Sequence, residues 1–248
     1  MAGTSAGGTT VTEATSIPVR VWDLPVRVFH WTLAISFAAA YTLSESERLR
    51  GVHVMFGYTV LALIAFRLLW GFVGTRYARF ASFLYPPAAV ARYLRGVAQG
   101  RPEAHLGHNP AGSYVIYAML ALGLLTGASG YCTLNGIGGE ASEDLHELLA
   151  NGWLALVIVH VAGVVVSSVL HRENLVRAML TGYKRAAGPL AATARAGTAR
   201  IGVGLAVALA VLGFWAVTLL GGGAAVPAGD RPPGDHAEYA GGDHDDDD

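Results

Sequence analysis

The sequence predicts an all-α integral membrane protein, in which a bundle of four transmembrane helices is followed by a fifth, C-terminal transmembrane helix. Three observations support this class. The 248 residues are 53% hydrophobic and only 14% charged, whereas soluble domains carry about 25% charged residues. The apolar residues are gathered in five stretches. The basic residues that flank these stretches lie almost entirely on one predicted side of the membrane.

The apolar stretches have the lengths of membrane-spanning helices. They cover residues 28–43, 52–73, 111–132, 147–170 and 201–220. A spanning helix needs about 20 apolar residues, and the last four stretches reach that length. The first is shorter, but it extends back to Trp22 and Pro25, and proline suits a first helical turn. A signal peptide is the alternative for this stretch, but His30 and Trp31 interrupt the apolar run and argue against it.

Composition divides the chain into four segments. Residues 1–17 are rich in Gly, Thr, Ala and Ser and predict a disordered N-terminal lead. Residues 18–185 form the predicted transmembrane domain, and residues 186–220 form a linker with the fifth helix. Residues 221–248 end in aspartates and predict an acidic, disordered tail. Metal binding by this tail is the less favoured alternative.

The distribution of Lys and Arg predicts the orientation. Thirteen of the 17 basic residues lie before the first stretch, between the second and third, or after the fourth. They are Arg20, Arg27, Arg76, Arg79, Arg92, Arg95, Arg101, Arg172, Arg177, Lys184, Arg185, Arg195 and Arg200. Because basic loops stay on the cytoplasmic side, we expect a multi-pass protein of the bacterial inner membrane, with a cytoplasmic N-terminus and a periplasmic C-terminal tail.

The single cysteine and the near-neutral charge exclude several kinds of site. Cys132 alone cannot form an intrachain disulfide, a c-type haem attachment or an iron–sulfur site built from this chain's thiolates. Any haem must therefore be held by His or Met. The net charge of −1 gives no case for nucleic-acid binding.

Four of the nine histidines lie within or at the ends of the apolar stretches: His30, His53, His146 and His160. Ionisable side chains at membrane depth are costly and are candidates for function, although hydrogen bonding between helices is the structural alternative. His146 and His160 are fourteen residues apart, which on a helix corresponds to about 1400° of rotation and a rise of about 21 Å. Both therefore project from nearly the same face, one near each membrane surface.

Depth pairs these histidines across the predicted bundle. His30 begins the first stretch on the inner side and matches the height of His160, whereas His53 begins the second stretch on the outer side and matches His146. A haem with two axial imidazoles needs one histidine from each of two facing helices, and the sequence supplies this twice. Six-coordinate iron leaves no position for a substrate, which favours electron transfer. A zinc site would need four converging ligands, and the separation of about 21 Å excludes it.

Two arginines are candidate partners for haem propionates. Arg27 lies three residues before His30, and Arg67 lies near the inner end of the second stretch. Either guanidinium could pair with a propionate through a bidentate contact. The alternatives are the cytoplasmic bias of basic residues for Arg27 and snorkelling for Arg67.

Glycines on the third stretch predict close contact between helices. Gly123, Gly127 and Gly130 are spaced by three and four residues. Small residues at such spacing allow the backbones of membrane helices to approach each other. Packing of a bulky macrocycle is the functional alternative.

Several motifs carry a family resemblance. They are Trp22-Asp23-x-Pro25-x-Arg27-x-x-His30-Trp31, Gly107-His108-Asn109-Pro110-x-Gly112, His146-Glu147, His160-Val161-x-Gly163 and the segment from Arg172-Glu173-Asn174 to Gly182-x-Lys184. Across residues 20–185 the sequence resembles the bacterial cytochrome b561 family, which includes the b-type cytochrome subunits of nickel–iron hydrogenases. The second motif leaves two interpretations of His108: a residue at a helix start, or one that handles quinone or shapes a haem edge.

The resemblance implies a four-helix core with two non-covalent b-type haems, held by His30, His53, His146 and His160. It also implies electron exchange with the quinone pool and a second redox protein. The expected function is electron transfer across the inner membrane between quinone and a periplasmic partner, either a cytochrome c or a dehydrogenase or hydrogenase subunit. Such a chain is an electron-transfer subunit of an oxidoreductase. The alternatives are a self-contained quinol or superoxide oxidoreductase, and a non-redox scaffold or proton relay.

Overall fold

The computed structural model describes residues 16–101, 103–186 and 189–221. Its helices are α1 (Leu24–Thr42), α2 (Arg50–Val73), α3 (Pro87–Ala98), α4 (Pro110–Leu134), α5 (Glu140–Leu170), α6 (Leu175–Thr181), α7 (Pro189–Thr193) and α8 (Ile201–Leu220). Short 3₁₀ turns cover Glu47–Leu49 and Phe80–Ser82, and the strands are β1 (Ile17–Arg20) and β2 (Tyr183–Ala186). Nearly all of the predicted disordered lead and acidic tail lies outside the described residues.

Among the described residues, four helical segments are long and apolar enough to cross a membrane. They are Glu47–Val73, Pro110–Leu134, Glu140–Leu170 and Ile201–Leu220. The mostly helical class is therefore confirmed, and these segments match the second to fifth predicted stretches. The first stretch forms α1, which has 19 residues but carries polar positions such as Thr32 and Ser36. That α1 also crosses the membrane, and that the spans number five, stays a prediction.

A two-stranded sheet, which the sequence analysis did not predict, closes the basic end of the bundle. β1 pairs antiparallel with β2, and Ile17 lies opposite Ala186. The backbone then turns at Gly182, whose carbonyl accepts hydrogen bonds from the N–H groups of Val21 and Trp22. Gly182 has a φ of 88°, and a Cβ there would lie 2.7 Å from the carbonyl oxygen of Trp22. Glycine is therefore needed at this crossing.

The start of α1 is fixed by the carboxylate of Asp23, which is only 2% exposed. Its Oδ1 accepts a hydrogen bond from the N–H of Val26 at 2.8 Å and so caps the helix. Its Oδ2 accepts from Trp70 Nε1 at 3.0 Å and from Thr75 Oγ1 at 2.7 Å. Because Trp70 lies at the end of α2 and Thr75 just beyond it, one buried group sets the height of α1 relative to α2.

The helices α4 and α2 pack closely at the predicted glycines of α4. A Cβ on Gly127 would overlap the side chain of Leu61 on α2. A Cβ on Gly123 would lie 2.7 Å from Cδ1 of Ile64, also on α2. The prediction of close helix contact through these residues is therefore confirmed.

The C-terminal helix α8 packs against α1 and α2. A Cβ on Gly204 would lie 2.6 Å from Cγ of Leu24, so the first turns of α1 and α8 are in close contact. Nearer its other end, Trp215 Nε1 donates to Thr59 Oγ1 of α2 at 2.9 Å, and its ring packs against Phe56. The fifth helix is thus part of the bundle on the side away from α5.

We predict that Asp23→Ala destabilises the protein far more than Asn109→Ala, which removes a second helix cap. Asn109 accepts one hydrogen bond, from the N–H of Gly112 at 2.7 Å, so its loss should cost about 1 kcal/mol. Loss of Asp23 also leaves two buried donors, Trp70 Nε1 and Thr75 Oγ1, without an acceptor. Each unsatisfied donor should cost about 1–3 kcal/mol. Thermal unfolding in detergent, followed by size-exclusion chromatography, measures the difference. Equal melting temperatures for the two variants would contradict the role given to Asp23.

Candidate haem sites

The structure brings the four histidines together in the two predicted pairs. The rings of His30 on α1 and His160 on α5 have centroids 6.4 Å apart. The rings of His53 on α2 and His146 on α5 have centroids 6.2 Å apart. No group of three or more His, Cys, Asp or Glu side chains suited to a metal ion occurs among the described residues. Each pair therefore offers two imidazole ligands, one from each of two helices.

The spacing within each pair fits two axial ligands of one iron ion. Metal–imidazole nitrogen bonds are about 2 Å long. Since the ring centre lies about 1 Å beyond the bonded nitrogen, two imidazoles on opposite sides of one metal have centroids about 6 Å apart. Both observed distances agree with this value. The residues present therefore fit haem with bis-histidine ligation.

Hydrogen bonds orient the pair formed by His53 and His146. Nδ1 of His53 lies 2.8 Å from the carbonyl oxygen of Ala40, and Nδ1 of His146 lies 2.9 Å from that of Thr126. A carbonyl only accepts, so both Nδ1 atoms carry the proton. In each neutral ring the lone pair is then on Nε2, where it can bind a metal. Ser129 Oγ is a second neighbour of this ring and lies 3.2 Å from Nδ1 of His146.

Gly130 forms a cradle for the ring of His146. A Cβ at this position would lie 2.8 Å from Cε1 and 3.1 Å from Nδ1 of the imidazole. Thr126, Ser129 and Gly130 are spaced as neighbours on one face of α4. Thr126 and Ser129 were not among the residues predicted for the site. Small polar residues at helical spacing inside an apolar stretch were the signal that could have found them.

The pair formed by His30 and His160 lies at the opposite, basic end. The ring of His30 packs edge-on against Trp31, with centroids 5.1 Å apart. Its Nδ1 is buried and has no hydrogen-bond partner within the described residues. Buried polar atoms are usually satisfied, so this orphaned nitrogen is consistent with a polar partner that is supplied when a ligand binds.

Arg67 lies near the same end as a buried cation. Its side chain is only 3% exposed, and its Nη1 has no hydrogen-bond partner within the described ranges. The guanidinium lies over the rings of Phe80 and Phe83, 5.0 and 5.9 Å from their centroids. Asp23 is a nearby opposite charge, but no carboxylate forms an ion pair with this guanidinium among the described residues, and a buried charge without a direct partner is costly. The environment of Arg67 therefore suits an anionic group such as a haem propionate.

Arg27 forms hydrogen bonds with backbone carbonyls near the same end. Its Nε donates to the carbonyl oxygen of Met179 at 3.3 Å, and its Nη2 donates to that of Leu180. Both carbonyls belong to the last turn of α6, where a cation is favoured. Arg27 thus links α1 to α6, and a contact with a propionate stays a prediction.

His108 lies between two aromatic rings beside the basic-end pair. Its ring centroid is 4.7 Å from that of Trp22 and 4.5 Å from that of Phe83. Burial, reinforced by the positive charges of Arg67 and Lys184, lowers the pKa of His108 to about 3. The imidazole is therefore neutral near pH 7. The next two residues start α4 as predicted, with Asn109 as the cap and Pro110 in the first turn.

A family comparison agrees with this geometry. The family model described as prokaryotic cytochrome b561 matches residues 21–182. The chain belongs to the prokaryotic cytochrome b561 family. This match confirms the resemblance that the motifs indicated and identifies a membrane b-type cytochrome of electron transport.

Curated relatives of this cytochrome b561 are similar over most of their length. A protein of Rhodobacter capsulatus is 26% identical over 214 residues, which cover 67% of this chain and 81% of the relative. One of Escherichia coli K12 is 23% identical over 212 residues, which cover 66% of this chain and 89% of the relative. Both are described as probable Ni/Fe-hydrogenase B-type cytochrome subunits. No solved structure matches the chain significantly.

We predict that Gly130→Ala lowers the haem content of this cytochrome b561, because the new methyl group would displace the ring of His146. Gly213→Ala is the matched control, since a Cβ on that α8 glycine meets nothing within 4 Å. Pyridine haemochrome assay of the purified variants gives haem per chain. Full haem content in Gly130→Ala would show that the cradle does not position His146 for haem.

Proposed function

We propose that this cytochrome b561 holds two b-type haems, one between His30 and His160 and the other between His53 and His146. The observation that carries the proposal is the occurrence of two histidine pairs with the spacing of axial ligands, 6.4 and 6.2 Å, each of which has one member on α5. His146 and His160 lie about 21 Å apart along α5. The two sites therefore belong to opposite halves of the bundle, as transfer across a membrane requires.

Each haem would supply one-electron redox chemistry, and the chain controls how it is held. The carbonyls of Ala40 and Thr126 keep the proton on Nδ1 of His53 and His146, so that Nε2 of each ring is left with its lone pair for a metal. At the basic end, Arg67 provides a buried positive charge for a propionate. If both histidines of a pair held one haem, the site would supply electron transfer rather than catalysis at the metal.

The membrane orientation and the partners extend this proposal. The basic end, which includes the segments around Arg20, Arg76 and Arg177, faces the cytoplasm, because positively charged loops stay on that side. The pair of His53 and His146 then lies near the periplasmic surface of a bacterial inner membrane. Electrons pass between the quinone pool and a periplasmic redox protein. Of the partner classes expected from the sequence, the descriptions of the relatives favour a hydrogenase subunit over a cytochrome c.

We predict that the purified protein contains two b-type haems per chain. His30→Ala and His160→Ala should each lose one haem, and His53→Ala and His146→Ala should each lose the other. Pyridine haemochrome stoichiometry and reduced-minus-oxidised spectra measure this. His171→Ala is the control, because this histidine lies beyond α5 and bonds to the backbone of Ser167.

The four variants also test the pairing. If His30→Ala and His53→Ala lost the same spectral component, the assignment of the pairs would be wrong. A wild type without haem, expressed with an adequate haem supply, would contradict the proposed function altogether.

We predict that Arg67→Leu lowers the midpoint potential of the basic-end haem. A buried positive charge favours the ferrous form, which carries one positive charge fewer than the ferric form, so removing the guanidinium favours oxidation. The expected shift is on the order of 60 mV, which is a tenfold change for a one-electron couple. Redox titration measures it, with Arg67→Lys and the exposed Arg79→Leu as controls. An unchanged potential in Arg67→Leu would exclude the contact with a propionate.

A further inference from the structure

Two pairs of rings connect α1 with α5. His30 faces His160 at one level, and Phe37 faces Trp153 with ring centroids 4.5 Å apart. Seven residues of a helix turn through nearly two whole turns and rise about 10 Å. Phe37 is seven residues after His30, and Trp153 is seven residues from both His146 and His160. The aromatic pair therefore lies midway between the two histidine pairs, on the same face of α5.

Trp153 is packed tightly into the centre of the bundle. Its side chain is 3% exposed and belongs to the cluster that includes Ile64 and Leu120. A Cβ on Gly123 of α4 would lie 2.6 Å from Cζ2 of the indole. The ring thus extends from α5 to α4 and contacts Phe37 of α1. The side chains of Trp153 and Phe37 therefore occupy the space between the two sites.

The polar group of the Trp153 indole is not satisfied by its neighbours. Its Nε1 is buried and has no hydrogen-bond partner in the part of the chain that the structure describes. An aliphatic side chain would fill an apolar core without leaving an N–H group unsatisfied. By contrast, Trp215 at the α2–α8 contact donates its N–H to Thr59.

We propose that Trp153, together with Phe37, forms an aromatic bridge through which electrons pass between the two haem sites. The inference rests on the proposed di-haem function. For each electron that crosses, one iron is oxidised from ferrous to ferric and the other is reduced from ferric to ferrous. No bond forms or breaks, and the two rings are unchanged afterwards. We expect the delocalised π electrons of this close-packed aromatic pair to couple the two sites better than an aliphatic side chain in the same place would.

The chain offers a way to time this transfer. Cys132 is its only cysteine and lies, partly buried, near the end of α4 that is close to His146. A photoactivated ruthenium complex attached there injects an electron into the nearer haem of the purified di-haem protein. Absorbance difference spectra then follow the arrival of the electron at the haem of His30 and His160.

We expect Trp153→Leu to retain both haems and their midpoint potentials but to slow transfer between them about tenfold, equivalent to about 1.4 kcal/mol in activation free energy. Trp153→Phe, which keeps an aromatic ring, should slow it less. Trp215→Leu is the matched control, because it removes a tryptophan that pairs with Phe56 outside the α1–α5 contact. Its rate should equal that of the wild type.

Unchanged transfer in a Trp153→Leu protein with both haems would overturn the inference. If that variant loses a haem because the core cannot repack, Phe37→Leu becomes the deciding variant. Phe37 is only partly buried, so its replacement disturbs the core less. Slowed transfer at full haem content supports the bridge, and a wild-type rate refutes it. A purely packing role would instead alter haem content or potentials. A wild type with fewer than two haems would contradict the proposed function itself, which the stoichiometry reveals before any rate is measured.

Discussion

The buried carboxylate of Asp23 is the interaction on which the arrangement of the bundle depends. It caps α1 and accepts hydrogen bonds from Trp70 and Thr75 at the end of α2. An ionised or hydrogen-bonding group is tolerated at such a depth only when its partners are all in place. The two helices are therefore held at one relative height. Because His30 lies two turns along α1, the same group determines the level at which this histidine meets α5.

The second constraint is that one helix, α5, provides a histidine to both sites. Its residues face α1 at the level of His160 and Trp153 and α2 at the level of His146. A change in the rotation of α5 would therefore displace both imidazoles together. The contacts of α4 oppose such a rotation, because Gly123 and Gly130 accept the rings of Trp153 and His146 where any side chain would collide. The glycines of α4 thus keep the two sites in register.

The helical class and the histidine pairs could be predicted from the sequence because both depend on periodic patterns. Apolar length indicates a membrane helix, and fourteen residues between His146 and His160 place both on one face. The partners of Asp23 had no such signal, because Trp70 and Thr75 are about fifty residues away and belong to no repeat. The β1–β2 sheet was missed for the same reason, since four-residue strands carry too little alternation to be distinguished from a loop.

The contacts of Arg27 could not be predicted from its position in the sequence. Three residues before His30 is a suitable distance for a propionate contact, but the guanidinium bonds to the carbonyls of Met179 and Leu180. Those carbonyls lie in the last turn of α6, which ends before Gly182, so they can accept from a side chain. The end of such a short helix cannot be located from sequence alone. The burial of Arg67, in contrast, could be expected from its place inside an apolar stretch, where a charge is rare, and its contact with a propionate stays a prediction.

The pairing of β1 with β2 has a consequence for biogenesis. Residues 17–20 leave the ribosome early, but their partner strand, residues 183–186, follows only after α5 and α6. At about 5–20 residues per second, on the order of 10–30 s separate the synthesis of the two strands. Both histidine pairs also wait for α5, since each includes one of its residues. Neither histidine pair can therefore form until most of the chain has been made, and α1 lacks its contact with α8 until that last helix is synthesised.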